Sequence, residues 1–367
     1  MIDFVQPRVT TRAMIDPTRK CSLRCKHCYW RPANDFFEEP PWEQQAKWVM
    51  DAKGRGCDAA DITGGEPVQG RNIVALVKLC VENGIAPRII STLILPGDRS
   101  RKDYNCDNPE VEKVFSDIMD AGLDDWLISM HGAKPETHDF VLSMKGARRM
   151  QLIRLERIME RMNWCTNFVL LGHNQTEILD WANLLLSFPR KPKIANFINF
   201  NPHYDWYKFR DEAKANIIDY RIATPLLDEA IDRLEDAGIG VNLRYVPMCV
   251  VAERHRKNVC NDLQVFADFG EWDNAFGARS TVEHVYRTYS VPLSRRNEEK
   301  GAPCNNCGLQ WICGGANRLW HAFANEKFGG EVLTPISLPD GVDRKDFWHY
   351  RKMNVAGLDP RSERCHA

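Results

Sequence analysis

The sequence predicts an α/β fold: a parallel sheet curled into a full or partial barrel with helices outside it, followed by a small cysteine-rich domain. Strand-like and helix-like segments alternate roughly six times over about 230 residues, the rhythm that crossover helices impose on a parallel sheet. That rhythm stops after Val246, where cysteine, glycine and aromatic residues become dense, as in a small metal-stapled unit. The chain thus divides at 1–246 and 247–367. Three cysteines directly follow the first predicted strand, the end at which such barrels place their chemistry.

The elements follow in order. Thr11 to Pro17 reads as a short strand running into the cysteines, and Trp42 to Lys53 as an amphipathic helix with Trp42, Ala46, Val49 and Met50 on one side. Asp58 to Thr63 is a strand that ends in Gly64-Gly65-Glu66-Pro67. Helix 72–82, strand 87–94, helix 109–121 and strand 125–130 come next, the last ending in His131-Gly132. Helix 147–162, strand 164–171, helix 176–187, strand 194–201, helix 224–237 and strand 241–246 complete the alternation. The cysteine loop, the Gly-Gly-Glu-Pro turn and residues 129–132 each follow a strand, so they are expected on one face.

Composition narrows the class. With 367 residues, 44% hydrophobic and 27% charged, the chain is of ordinary globular type and long enough for one large domain and a small one. A formal net charge of -1 gives no long-range field toward nucleic acid or anionic lipid. The N-terminus has no signal-peptide pattern and no run approaches the roughly 18 apolar residues of a membrane span, which reads as cytoplasmic. Thirteen cysteines, odd in number and clustered, then favour metal binding over disulfides.

Cys21, Cys25 and Cys28 stand at CxxxCxxC spacing. A cubane iron-sulfur cluster takes four cysteine ligands, so three leave one iron open for something else, the mark of a working site. On spacing alone a zinc site, a redox dithiol and packing cysteines remain alternatives. In the Gly64–Pro67 turn the glycines allow close backbone approach to a ligand, the proline fixes the turn, and the glutamate suits an ammonium group.

Together the cysteine motif, with His27 just before its last cysteine, and the Gly-Gly-Glu-Pro turn resemble the radical S-adenosylmethionine (SAM) superfamily. The resemblance implies a partial (β/α)6 TIM-like barrel of the radical SAM type, with Cys21, Cys25 and Cys28 holding a 4Fe-4S cluster whose open iron chelates SAM. It implies that Gly64, Gly65, Glu66 and Pro67 hold the methionine amino group, that His27 shields the cluster near the adenine, and that Ser129 meets the ribose. Asn174 matches an asparagine found after the fifth strand in many members. The stretch around His138 and Asp139 resembles a segment in which an arginine soon follows and reaches the SAM carboxylate; here Phe140 to Ser143 follow, leaving Arg148 or Arg149 to substitute.

Cys304, Cys307 and Cys313 form CxxC followed by x5-C, similar to the SPASM and Twitch extensions that carry auxiliary clusters. The full SPASM pattern has a further cysteine where this chain has Asn317, so one auxiliary 4Fe-4S cluster is expected, held with Cys249; Cys260 and Cys365 are further candidates. Zinc on the same four cysteines is the competing expectation. Cys57, Cys80 and Cys165 read as buried hydrophobes and Cys106 as a loop residue without a role. The stripe Arg154, Arg157 and Arg161 reads as a solvated face, and His203 to Trp206 and Tyr245 as loop residues near the substrate end.

The resemblance implies an enzyme that reductively cleaves SAM to a 5'-deoxyadenosyl radical and abstracts hydrogen from a peptide or small-molecule substrate, for oxidation or bond formation. A flavodoxin- or ferredoxin-type protein is the expected reductant. The alternative is a non-enzymatic iron-sulfur electron carrier or a zinc-stapled binding protein, for which a large barrel is an extravagant scaffold.

Overall fold

The computed structural model describes residues 12–28, 39–95, 98, 109–201, 209–260, 275–277, 298–310, 313–330 and 333–337. Cys106, Cys365 and residues 203–206 lie outside these, as does the side chain of Cys260. Seven strands form in sequence order: β1 (Arg12–Thr18), β2 (Ala59–Gly64), β3 (Ala86–Ser91), β4 (Asp125–Ser129), β5 (Trp164–Leu170), β6 (Ile194–Asn199) and β7 (Gly240–Arg244). Each pairs in parallel with the next, and short β8 (Val259–Cys260) and β9 (Ala275–Gly277) extend the edges to give the order β8-β7-β6-β5-β4-β3-β2-β1-β9. A sheet wound in one direction from β1 to β7 is the partial barrel that the alternation predicts.

Crossovers are made by α1 (Trp42–Gly54), α2 (Ile73–Glu82), α3 (Pro109–Asp120), α4 (Pro135–Leu142), α5 (Ala147–Arg161), α6 (Ile178–Ser187), α7 (Arg210–Asn216) and α8 (Tyr220–Asp236). Helices α4 and α7 were not among the predicted elements; at 8 and 7 residues they span only about two turns, too few to establish an apolar period. α8 begins four residues before the predicted Thr224, with Pro225 inside it. Proline usually marks a first turn, but here the Asp219 carboxylate accepts from Arg221 N–H and sets the start earlier.

Strand alternation separates two environments. Ala13, Ile15, Ile62, Ile89, Trp126, Trp164, Phe168, Phe197 and Leu243 face the helices and join one apolar core. On the opposite face Asp61, Arg88 and Asp125 share a register row. Arg12 Nη1 lies 2.8 Å from Asp61 and Arg88 Nε lies 2.6 Å from Asp125, so alternating charges fill the lumen toward the strand starts. Cys57, Cys80 and Cys165 are buried, as expected of packing thiols.

Arg154 departs from the expected solvated stripe. It is 1% exposed, its guanidinium bonded to Asp98 at 2.6 Å, to Glu112 at 2.8 Å and to the Leu93 carbonyl at 2.6 Å. Arg157 and Arg161, one and two turns on, do keep to the surface, paired with Glu112 and Asp120. Helical spacing places all three on one side, but Asp98 and the Leu93 carbonyl engage only the first.

The C-terminal region contributes β10 (Glu298–Glu299), β11 (Ala316–Asn317) and α9 (Arg318–Phe328). Leu309, Leu319, Trp320 and Phe323 belong to the same apolar core as the barrel, so the core runs across the expected division at 246/247. Trp320 Nε1 donates to the Ile218 carbonyl at 3.0 Å, and Lys327 Nζ donates to the carbonyls of Lys214, Ala215 and Ile217 at 2.6, 3.1 and 2.9 Å. Carbonyls at a helix end lack intrahelical partners, and α9 supplies an ammonium group to those closing α7.

Candidate active site

The cysteine loop leaves the C-terminal end of β1 and is held by its neighbours through its backbone. Lys26 N–H donates to the Val141 carbonyl at 2.8 Å, the Lys26 carbonyl accepts from Asn216 at 2.8 Å, and Ser143 Oγ donates to the Arg24 carbonyl at 2.7 Å. Those bonds leave the three thiols to the interior. Burial pushes the Cys21 thiol up to about 12 and Cys25 well above its ordinary value, with the neighbouring Cys28 and Glu66 adding to both. Such thiols stay protonated alone and ionise only on meeting a metal centre.

The Gly64–Pro67 turn lies against this loop. Gly65 N–H donates to the Thr18 carbonyl at 2.8 Å and Glu66 N–H to the Lys20 carbonyl at 2.7 Å. A Cβ on Gly65 would stand 2.3 Å from the Lys20 oxygen, so only glycine permits the approach. Gly64 has φ +114, and a Cβ there would meet the Asp16 carboxylate at 1.9 Å. The Glu66 carboxylate is buried and accepts from Ser91 Oγ at 2.6 Å, from Thr92 N–H at 2.8 Å and from Thr92 Oγ1. Burial raises it to about 6, against the lowering pull of those bonds. Ser91 and Thr92 were missed in the sequence, where hydroxyls at the end of β3 look like any strand terminus.

Half-buried His27 in the loop is backed by two buried histidines, His131 and His138. His27 meets His131 edge-on with ring centroids 4.4 Å apart, His131 Nδ1 accepts from Val169 N–H at 3.1 Å, and His138 Nδ1 accepts from His131 N–H at 3.2 Å. Burial pushes His27 down to about 4 and is the main cause that holds His131 and His138 well below the ordinary range, with the Arg148 guanidinium adding to it at His138. All three are therefore neutral at pH 7. The Asn174 carboxamide is fully engaged by backbone, donating to the His131 and Val169 carbonyls and accepting from Leu171 N–H at 2.8 Å. It shapes the turn that carries His131.

Of the two arginine candidates, Arg149 is exposed and Arg148 is buried, with Asp139 and Glu177 near its guanidinium; burial lowers it to about 10. The place of the missing arginine is apolar: Leu142 joins Leu23, Ile94, Met144, Ala147 and Met150 in a cluster against Cys21 and Cys25. Gln151, also missed in the sequence, donates to the Thr92 and Ser129 carbonyls at 3.0 and 2.8 Å and ties β3 to β4 beneath the site. Among the described residues, buried polar atoms of His27, His138, Arg148 and Gln151 have no hydrogen-bond partner, a donor and acceptor set that suits a polar ligand.

Ser129 opens a row across the lumen, in register with Asn167, Asn196 and Asn242. Asn242 donates to Asn196 and Asn196 to Asn167, each at 2.8 Å. In strand β5 the helix-facing Trp164 and Phe168 are fully buried, whereas Asn167 is 8% exposed and Val169 half-buried, so the lumen side retains access from above.

A second cysteine site lies in the C-terminal region. Cys249, Cys304, Cys307 and Cys313 line one pocket, bordered by Pro247, Leu309 and residues 333–336. Cys313 Sγ accepts from Met248 N–H at 3.5 Å and Cys307 Sγ from Ile336 N–H at 3.4 Å, bonds of the kind that stabilise cluster-bound sulfur. Burial pushes Cys249 up to about 11, with Cys307 and Cys304 contributing. The donors fit a thiolate-bound metal centre and little else.

Residues 15–185 match the Radical SAM superfamily. GTP 3',8-cyclase of Syntrophomonas wolfei is 23% identical over 223 residues, 58% of this chain and 64% of that protein. GTP 3',8-cyclase of Clostridium perfringens is 26% identical over 212 residues, 56% of this chain and 60% of that one. The match thus spans less than two thirds of either relative. Among solved structures, Streptococcus suis SuiB bound to S-adenosylmethionine has a TM-score of 0.54 at 14% identity, covering 84% of this chain and 73% of SuiB. Native anSMEcpe with bound AdoMet and Cp18Cys peptide has a TM-score of 0.51 at 11% identity, covering 88% of this chain and 92% of that one. At these identities the likeness is one of fold. With its three-cysteine loop, its glycine turn and the strands that carry them inside the matched segment, residues 15–185 make a radical SAM domain, of a superfamily whose members bind a 4Fe-4S cluster and SAM.

Proposed function

We propose that this protein is a radical SAM enzyme with a second, four-cysteine iron-sulfur site, removing hydrogen from a peptide or small-molecule substrate in an oxidation or bond-forming reaction. The observation that carries the reading is the convergence of Cys249, Cys304, Cys307 and Cys313 on one cavity. Four thiolates, from Cys249, Cys304, Cys307 and Cys313, are the full ligand set of a cubane cluster.

When bound, the first cluster and SAM supply a 5'-deoxyadenosyl radical by one-electron cleavage. Cys21, Cys25 and Cys28 would hold that cluster, a three-thiolate set that leaves a place for SAM. The turn of Gly64 to Pro67 brings Glu66 to the methionine amino group, Arg148 replaces the absent arginine at the carboxylate, Ser129 meets the ribose, and His27, braced by His131, borders the adenine. Asn174 serves by fixing His131, and the row of Asn167, Asn196 and Asn242 offers a polar floor to substrate. Four protein thiolates at the second site leave no open iron for a substrate, so those residues build an electron-accepting site. Cys260 and Cys365 are the alternatives to Cys249 as the fourth ligand, or would belong to a partial further site.

SuiB and anSMEcpe were solved with bound peptides, which favours a peptide substrate. The sequence likeness to GTP 3',8-cyclases favours a second reading, a nucleotide substrate; the fully thiolate second site argues against one bound to its iron. Anaerobic reconstitution is expected to give about eight irons per chain, falling to about four in Cys25→Ala and in Cys313→Ala. Dithionite and SAM should yield 5'-deoxyadenosine in the native chain and in Cys313→Ala but not in Cys25→Ala. Four irons in the native chain would sink the second cluster.

A further inference from the structure

Beyond α9, residues 333–336 lie along the border of the second cysteine site. Leu333 is buried and Ile336 packs on the common apolar core, whereas Thr334 and Pro335 between them are exposed. The Ile336 carbonyl accepts from Gly308 N–H at 2.8 Å, which pins this short segment to the turn just after Cys307. All four residues border the pocket that the cysteines line.

The backbone of the segment reaches two of the thiols, one from each part of the site. Ile336 N–H donates to Cys307 Sγ at 3.4 Å, and Thr334 N–H bonds the Cys249 thiol and opposes the upward push of its burial. Pro335, between the two donors, has no N–H of its own and holds Thr334 in extended backbone. From another border of the pocket, Met248 N–H donates to Cys313 Sγ at 3.5 Å. An N–H dipole aimed at sulfur stabilises negative charge there, and a reduced iron-sulfur cluster carries one more negative charge than the oxidised one, so such bonds favour reduction. Apolar cover from Pro247, Leu309 and Leu333 works the other way, because it disfavours added charge. The donors therefore decide how readily the site takes an electron.

We propose that residues 333–336 tune the second site for electron acceptance, the N–H groups of Thr334 and Ile336 raising its reduction potential through Cys249 and Cys307. The inference rests on the four-cysteine cluster proposed above. In that reaction the substrate radical left by hydrogen removal gives one electron to this site and one proton to solvent. The substrate is then oxidised by two electrons in all, and the site is reduced by one. Thr334 and Ile336 are positioning residues, since they touch the sulfur ligands and not the substrate.

The test uses the full chain, reconstituted anaerobically with iron and sulfide, with the second cluster read alone in a Cys25→Ala background. In chain labelled with nitrogen-15 at threonine, pulsed electron paramagnetic resonance of the reduced cluster is expected to show coupling to the label. Thr334→Ala keeps the N–H but not the label and should lose that coupling. Thr334→Pro removes the donor from an exposed position and should make reduction about ten-fold less favourable, a fall of about 59 mV for one electron. Thr334→Ala and Pro335→Ala should leave the potential where it was, since each retains both donors. Equal potentials with and without the Thr334 donor, or no coupling in the labelled chain, would overturn the tuning role. Should Thr334→Pro lose the iron of this site, the coupling decides alone. About four irons in the native chain, with zinc or nothing on the C-terminal cysteines, would overturn the cluster reading and the proposal with it; about eight irons with unmoved potentials would overturn the proposal only.

Discussion

Glu66 has to carry a charge where burial opposes one. Its carboxyl is raised from 4.5 to about 6 by desolvation, so the folded chain binds this proton more tightly than the unfolded chain. The associated stability is complete below about pH 4.5 and is lost as pH rises through about 6, a cost of about 2 kcal/mol to the SAM-free protein at neutral pH. Glu66→Gln is therefore expected to unfold at the native temperature or above it at pH 7.5, with any advantage vanishing below about pH 5. The same variant should bind SAM at least about ten-fold more weakly, since the amide cannot neutralise an ammonium group. Thermal unfolding at two pH values and equilibrium dialysis check this pair of outcomes; lower stability at both pH values would show that Glu66 stabilises the fold through its bonds to Ser91 and Thr92. In the native chain SAM affinity should likewise fall as pH drops below about 6, where Glu66 takes up its proton.

At the scale of elements, α5 shows how one stripe serves two purposes. Arg154 bonds Asp98, Glu112 and the Leu93 carbonyl, whereas Arg157 shares only Glu112 and is 46% exposed. Removing one member of a buried ion pair leaves an uncompensated charge, so Arg154→Met is expected to cost about 3–5 kcal/mol. Arg157→Met should cost about 1 kcal/mol or less, because water screens its pair. Denaturant unfolding of the two variants decides the matter, and equal costs would mean that Asp98 reaches solvent when its partner is lost. Arg154 also anchors the segment after β3, so its loss should disturb Thr92 and with it Glu66.

For the whole molecule the decisive contact is between the C-terminal region and the barrel. Lys327 on α9 gives its three protons to carbonyls at 214, 215 and 217, and Asn317 bonds Asn201 at 2.7 Å. Hydrogen bonds from a charged donor contribute about 1.5–3 kcal/mol each net of exchange with water, and less in sum where the donor is half-buried. Lys327→Met is expected to raise amide exchange across residues 298–330 and to loosen iron at the second site, with iron at Cys21, Cys25 and Cys28 retained. Exchange rising equally in β1 to β7 would mean that the two regions unfold as one unit, as their shared apolar core permits.

The sequence by itself determined the strand-helix alternation, the placing of three cysteines after β1 and of Gly64 to Pro67 after β2, because these are local: period, spacing and glycine are written along the chain. It also pointed to Cys249, Cys304, Cys307 and Cys313 as a set, but only tertiary structure brought Cys249 to the others across more than fifty residues. Likewise Ser91, Thr92 and Gln151 gain meaning only once β3 and β4 lie beside β2, and Arg148 is separated from Arg149 only by which of them the packing of α5 buries. Arg154 was misread for the same reason, since helical periodicity states which residues share a face but not what closes over it. Short α4 and α7 were invisible because one or two turns carry too few apolar repeats. What local physics fixes is the radical source; the surroundings that tune it are fixed by long-range packing, which a pattern of neighbours along the chain does not encode.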